Sequence, residues 1–449
     1  MIMGLSVLSA QNNRTSYFLD GYTYNFRLNP AFTPERGFVA IPVLGNVSIG
    51  AESNLALSTF VYPTSDGRPV LFIDDSVSDT EFLSKLNKRN MINSNLNLTL
   101  LAFGFKTGKF YHTFDVSLKA QESSLFGKDL LEFIKVGSAN GTHSWNLGNI
   151  GASVRAYGEV AYGLSASIGE SLRLGGRIKL LLGIARTDMM IDRLDLKMAK
   201  EGWAASSEGY AELSGPIMIG TNDEGVMDFS QVEFGEIKGL TGMGLGVDLG
   251  ASYDFLDYFT ASLSLLDLGM ISWNQTTKAV AGGADWTFNG FGTIDETSEL
   301  GEQLETLGSE LSSMAQLKKT GEGLKSSKWL AATMNAGIEA RMPFYEKLSF
   351  GLLGTHRFNG KYSWTEGRLS ANLTPARCVG LAASYAFSNF GSSLGGVFNL
   401  SCPGFNFFIG VDSFIPLFSM TPQYIPINRI NTNVSFGLNI TFGAKKYDK

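Results

Sequence analysis

The chain of 449 residues is 44% hydrophobic and only 17% charged, with a net charge of -6, whereas a soluble chain usually carries about 25% charged residues. With no basic surplus there is no counterion release to drive nucleic-acid binding, and three histidines with two cysteines leave little for a metal site. No stretch nears the roughly 18 consecutive apolar residues of a spanning helix, so the membrane-crossing option left is a closed barrel, whose sheet satisfies its own backbone hydrogen bonds.

Met1 to Gln11 form an apolar stretch ending in Ser9-Ala10-Gln11. It has the small-residue end of a secretory signal but no basic n-region. Residues 1–10 are therefore expected to be a truncated signal remnant, with a mature start near Gln11; an ordinary apolar first strand is the alternative. Residues 11–36 carry Tyr17, Phe18, Tyr22, Tyr24 and Phe26, then Asn29 and Pro30, ahead of any strand. Such an aromatic segment is expected either as a plug or hatch inside a barrel or as a periplasmic tail.

Residues 37–443 are expected to form the barrel, starting with a strand at 37–50. Phe110, Phe114, Val116 and Leu118 alternate with Tyr111, Thr113, Asp115, Ser117 and Lys119. The same two-faced period recurs over 152–164, 243–253 and 330–342. It is clearest at the end of the chain, where Val434, Phe436, Leu438, Ile440 and Phe442 alternate with Ser435, Gly437, Asn439, Thr441 and Gly443. Alternation means strands with two different faces. Soluble sandwiches alternate too, but with strands of about 5 to 6 residues; ten or more suit a tilted bilayer crossing. The 52 glycines exceed the roughly 31 that ordinary usage would give, and many lie on the polar face. A polar face of small residues suits a crowded lumen, which puts the apolar face outside.

Short turns are read near 107–108, 167–170, 254–257, 343–346, 374–377 and 402–404, alternating with longer connections at 121–150, 186–241, 270–328, 358–362, 388–392 and 413–430. That parity belongs to outer-membrane barrels. The count is fourteen strands if 188–214 is a protruding hairpin and sixteen if it joins the wall. Helices are expected in two connections, at 128–136 and at 298–318, where Leu300, Leu304, Leu307, Leu311 and Met314 fall at helical spacing. Residues 444–449 read as a periplasmic tail.

Little points to chemistry. His112 and His356 are in register with outward residues near strand ends, where an interfacial girdle belongs, and His143 falls in a loop. Gly242, Gly244, Gly246 and Gly250 lack the spacing of a phosphate loop. No catalytic residue, metal or cofactor is expected. The lumen face carries Asp115, Lys119, Arg155, Glu159, Arg177, Lys179, Asp248, Glu339, Arg341 and Arg368; these mixed charges either line an aqueous path or pair and fill it. Cys378 and Cys402 lie on opposite phases of their strands and are expected as free thiols.

Ser16-Tyr17-Phe18, then Leu28-Asn29-Pro30-Ala31-Phe32, then Pro42 and Leu44-Gly45-Asn46 resemble the N-terminal region of FadL-like outer-membrane proteins, in which an Asn-Pro-Ala motif follows a hatch. Residues 174–183, Gly246 to Gly250, and Leu265 to Gly269 with Trp273 resemble an uncharacterised cell-envelope branch of that group, related to PorV-like barrels. The resemblance spans nearly the whole chain. It implies an all-β, fourteen-stranded transmembrane antiparallel barrel in the outer membrane of a Gram-negative bacterium, in contact with outer-membrane lipid. It also implies passive passage of small hydrophobic molecules through a hatch and a lateral opening, with such a molecule, detergent or lipid held in the barrel. Related barrels imply the competing role: a noncatalytic scaffold, shuttle or assembly subunit that binds other envelope proteins. The charged inner face departs from a greasy channel.

Overall fold

Ten-residue runs of alternating apolar and polar side chains cannot be buried on both faces, and they form one wall with an apolar outside and a polar inside. The computed structural model describes residues 13–63, 69–137, 144–199, 202–222, 225–236, 239–281, 286–288, 309, 312–414, 429 and 431–443. Wall strand β1 comes in two pieces, Gly37–Ala40 and Val47–Ser53. It is followed by β2 (Arg89–Thr107), β3 (Phe110–Gly127), β4 (Ile150–Ile168), β5 (Leu172–Ala199), β6 (Gly242–Phe255) and β7 (Phe259–Ala281). The second half is β8 (Ala332–Met342), β9 (Tyr345–Phe358), β10 (Trp364–Ala376), β11 (Val379–Ser388), β12 (Gly391–Cys402), β13 (Phe405–Phe414) and β14 (Thr432–Phe442). Each pairs antiparallel with its neighbour, and β1 closes the ring by pairing with both β14 (Gly37 with Phe442, Val47 with Phe436) and β2 (Val47 with Leu98). The barrel has fourteen strands.

The smaller of the two counts holds because the 188–214 hairpin rises above the wall. β6 ends upward at Gly242, opposite Gly183; beyond it the Gly202–Ser214 strand takes its place between β5 and β7, pairing Arg186 with Ser214 and Val280 with Tyr210. The Leu317–Trp329 strand likewise continues β8 upward along β7. All six short turns fall where expected, at one end of the barrel.

Three expectations need correction. The connections at 121–150, 186–241 and 270–328 begin as strand, with β3, β5 and β7 running on to Gly127, Ala199 and Ala281. There Gln121 to Ser124 and Asp188 to Arg193 lose the alternation, because a ladder that has risen out of lipid needs no apolar face. The first strand is not continuous over 37–50: Pro42 has no amide hydrogen to donate, and Val43 takes a left-handed φ of 68°. The gap stays stitched to β14, since Ile41 donates to the Leu438 carbonyl and Leu438 to that of Leu44. Finally, Leu317 and Lys318 open a strand, not the end of a helix; Leu300, Leu304, Leu307 and Leu311 lie outside the described residues, as do His143, residues 1–10 and 444–449.

Helix α1 (Asp79–Ser84) is capped by the Ser78 hydroxyl, which accepts from the Glu81 amide. Helix α2 (Lys128–Val136) occupies the expected residues. Phe82 of α1 and Leu131 of α2 pack with Tyr62 and Phe72 at the long-loop end.

The outer face exposes Leu245 (71%), Ile178 (64%) and Ile338 (50%), while Asp248, Arg177 and Asn335, next to them on the other face, are buried. His112 stacks on Phe105 at 5.1 Å near the short-turn end, and His356 meets Phe358 at 4.4 Å near the other. Both are outward, where aromatic belts meet headgroups. Cys378 and Cys402 are free thiols.

Leu438 points outward from β14 and Asn439 inward, fully buried. Leu438→Arg is expected to cost about 2 to 4 kcal/mol, the usual penalty for an arginine at the lipid midplane. Unfolding in lipid vesicles measures it, and unchanged stability would show that the face is wrongly assigned.

Candidate functional site

Residues 13–36 lie inside the barrel. Two short helical turns, Arg14–Ser16 and Asn25–Arg27, fold the segment back on itself, and Tyr17, Phe18, Tyr22, Tyr24, Phe26, Asn29 and Pro30 are all buried there. The inward glycines make the room. A side chain at Gly175 or Gly250 would collide with Pro30 or Asn29, and one at Gly337 or Gly351 would collide with the Phe18 ring. Tyr22 packs edge-on against Phe408 at 4.8 Å, and the Tyr24 hydroxyl donates to Asn439 at 2.8 Å. Asn29 is locked by its own amide, which donates to the Tyr17 hydroxyl and the Ala251 carbonyl, both at 3.2 Å.

Two arginines of this segment are clamped by carboxylates of the wall. Arg14 meets Glu52 at 2.8 Å and Glu366 at 3.1 Å. Its amide and that of Thr15 each donate to Asp412 at 2.6 Å. Arg368 joins the same cluster, 2.9 Å from Glu366. Arg27 meets Asp115 at 3.1 Å and Thr99 at 3.0 Å.

From Asp115 a second chain of pairs runs round the wall. Arg177 bridges Asp115 and Asp248; Lys179 lies 2.6 Å from both Asp248 and Asp267; Lys119 lies 2.6 Å from Glu159. Six of the ten expected lumen charges, Asp115, Lys119, Glu159, Arg177, Lys179 and Asp248, are thus gathered in one cluster, and Arg368 lies in the cluster around Arg14. The other three are elsewhere. Arg155 is half-buried higher up and donates to the Trp329 carbonyl at 2.7 Å, while Glu339 and Arg341 lie at the short-turn end, Arg341 3.2 Å from Asp20.

Sequence reasoning missed Arg14, Arg27, Glu52, Glu366, Asp412 and Asp267. Glu366 and Asp412 keep the inward phase of their strands and could have been read. Arg14 and Arg27 sit in a segment with no period. Asp267 is turned inward by a bulge opposite Asp248, at a φ of 58°; its amide donates to Asp248 at 2.7 Å.

Charges taken from water cost several kcal/mol each unless paired and hydrogen-bonded, so these clusters hold the segment by mutual satisfaction. A cavity of about 70 Å³ lies beside Arg14, Asn97, Asp267 and Arg357, and one of about 440 Å³ opens at the short-turn end beside Phe18, Tyr22 and Glu339.

An apolar outer wall around a polar, filled interior defines a transmembrane β-barrel. The chain belongs to the family described as "Family of unknown function (DUF5723)", whose pattern matches residues 30–412. No curated protein matches it. Among solved structures it is similar to the P. putida toluene transporter TodX (10% identity over 96% of each chain, TM-score 0.43). It is also similar to the Ralstonia pickettii toluene transporter TbuX (9% identity over 98% of this chain and 96% of that one, TM-score 0.43). A Pseudomonas aeruginosa FadL homologue shares 11% identity over 97% of this chain and 98% of its own, with a TM-score of 0.41.

Arg177→Met would leave Asp115 and Asp248 short of a buried partner and is expected to cost about 3 to 5 kcal/mol, as for other broken buried pairs. Denaturant unfolding in detergent measures it. Adding Asp248→Asn should recover part of the loss, and a strictly additive double variant would show that the pair does not interact.

Proposed function

We propose that this chain is a passive outer-membrane transport barrel of the FadL-like kind in a Gram-negative bacterium, with residues 13–36 as its plug and a small hydrophobic molecule as its cargo. The observation that carries the reading is that the wall closes without the plug. Every wall strand, β1 included, is hydrogen-bonded to wall neighbours, whereas the plug is held by side chains. A part that the wall does not need can move without unfolding it. Tyr17, Phe18 and Phe32 around the short-turn cavity supply apolar contact for a hydrophobic cargo, and the short turns put that end in the periplasm.

A second reading, a noncatalytic scaffold, shuttle or assembly subunit, is favoured by one feature. The strands that rise above the wall carry a core of their own, with Leu194, Leu196, Ala205, Leu213, Met314 and Leu317 buried together. Closure of the barrel does not require that much structure outside the membrane, and a docking platform does.

Deleting residues 13–27 decides between them. The truncated barrel is expected to insert and migrate as a folded species, and to conduct severalfold more than the full chain in planar bilayers. Conductance no higher than that of the intact protein would sink the transport reading, and retention of a stoichiometric partner protein by the intact chain would then favour the platform.

A further inference from the structure

Arg14 and Leu28 of the plug and inward side chains of the wall enclose the smaller cavity, of about 70 Å³. One water needs roughly 10 to 15 Å³ of such space and a drug-sized ligand about 300 Å³ or more, so this cavity suits a small solute with a few waters. Four charged side chains line it. Three of them are already paired: Arg14 with Glu52 at 2.8 Å, Lys119 with Glu159 at 2.6 Å and Asp267 with Lys179 at 2.6 Å.

The fourth, Arg357, is the independent observation. It points inward near the long-loop end of β9 and is only 8% exposed, yet its side chain makes no hydrogen bond and no ion pair among the described residues. Nor are its guanidinium nitrogens sealed in protein: each keeps accessible surface where the residue lines the cavity. Water can satisfy those N–H groups but brings no charge, and a guanidinium held away from bulk water without a counter-charge costs several kcal/mol. An anion removes that cost. Asn95, Gln121 and Thr333 line the same cavity with side chains that make no hydrogen bond among the described residues, and each carries a donor that can turn to an anion.

We infer that this cavity binds one small monovalent inorganic anion of halide size, held between the Arg357 guanidinium and these neutral donors. A single negative charge matches the single unpaired guanidinium, and Asp267 on the same cavity repels anything more highly charged. The site is one of binding, lies between plug and wall, and does not rest on the transport reading.

Bromide is the probe. In crystals of the full-length protein grown in sodium bromide, data collected at the bromine absorption edge are expected to show an anomalous peak against the Arg357 guanidinium. In non-ionic detergent at constant ionic strength, replacing sodium gluconate, whose anion is too large for the cavity, by sodium bromide should raise the melting temperature saturably. The rise should be roughly 2 °C at ten times the dissociation constant. Arg357→Gln leaves no charged partner orphaned among the described residues and should abolish the rise, with heat-modifiable migration confirming an intact barrel. No bromine peak at Arg357, or equal melting of the unaltered protein in bromide and gluconate, would overturn the proposal without recourse to any variant. So would a bromide response of the same size in folded Arg357→Gln. Sulfate stabilising more than bromide, in a way that Arg357→Gln removes, would overturn the monovalent assignment.

Discussion

A ring of fourteen strands encloses more space than its inward side chains can fill. About eight strands leave an interior that side chains just occupy, and sixteen leave an aqueous channel. Strand number is fixed by the wall, because within lipid every backbone donor and acceptor must find a partner in a closed ladder. The lumen must therefore either hold water or be filled by something other than the wall. Here residues 13–36 fill it, and the inner face is shaped to receive them: glycines where the plug backbone or a ring comes close, carboxylates where its arginines lie.

Filling the lumen with paired charges has a different consequence from filling it with hydrocarbon. Apolar packing is non-directional and tolerates sliding, whereas Arg14 among Glu52, Glu366 and Asp412, and Arg27 on Asp115, fix one register of plug against wall. Once broken, the same pairs leave charged groups that water solvates well. The plug is thus held in one specific position while the lumen is dry.

What could be read from the sequence was whatever period two controls. Leu438 against Asn439, the six short turns and the lesser strand count of fourteen all follow from alternation and its breaks. Asp115, Arg177 and Asp248 were legible as inward charges for the same reason, but their convergence was not, since period two fixes a face and not a height along the barrel. Arg155 and Glu339 share that face with Arg177 and still lie at different levels. Features governed by single residues escaped. The left-handed Val43 breaks β1, the bulge at Asp267 adds a carboxylate to the cluster, and the plug arginines sit in a stretch with no period at all.

The path of the plug matters for what the barrel can do. Arg36 donates to the Gly443 carbonyl and Gly37 pairs with Phe442, so the segment joins the wall at the short-turn end. From there it rises past Asn29 on Gly250 and Arg27 on Asp115, returns to Asp20 beside Arg341, and rises again to Arg14. A strap that is tethered at one mouth and does not thread between strands can be withdrawn through that mouth without parting a single ladder. The cavity at Glu339 lies where the strap turns, so a molecule bound there touches plug and wall at once. Such a molecule favours whichever plug position completes its site, and the strength of that preference is set by how differently it binds the two.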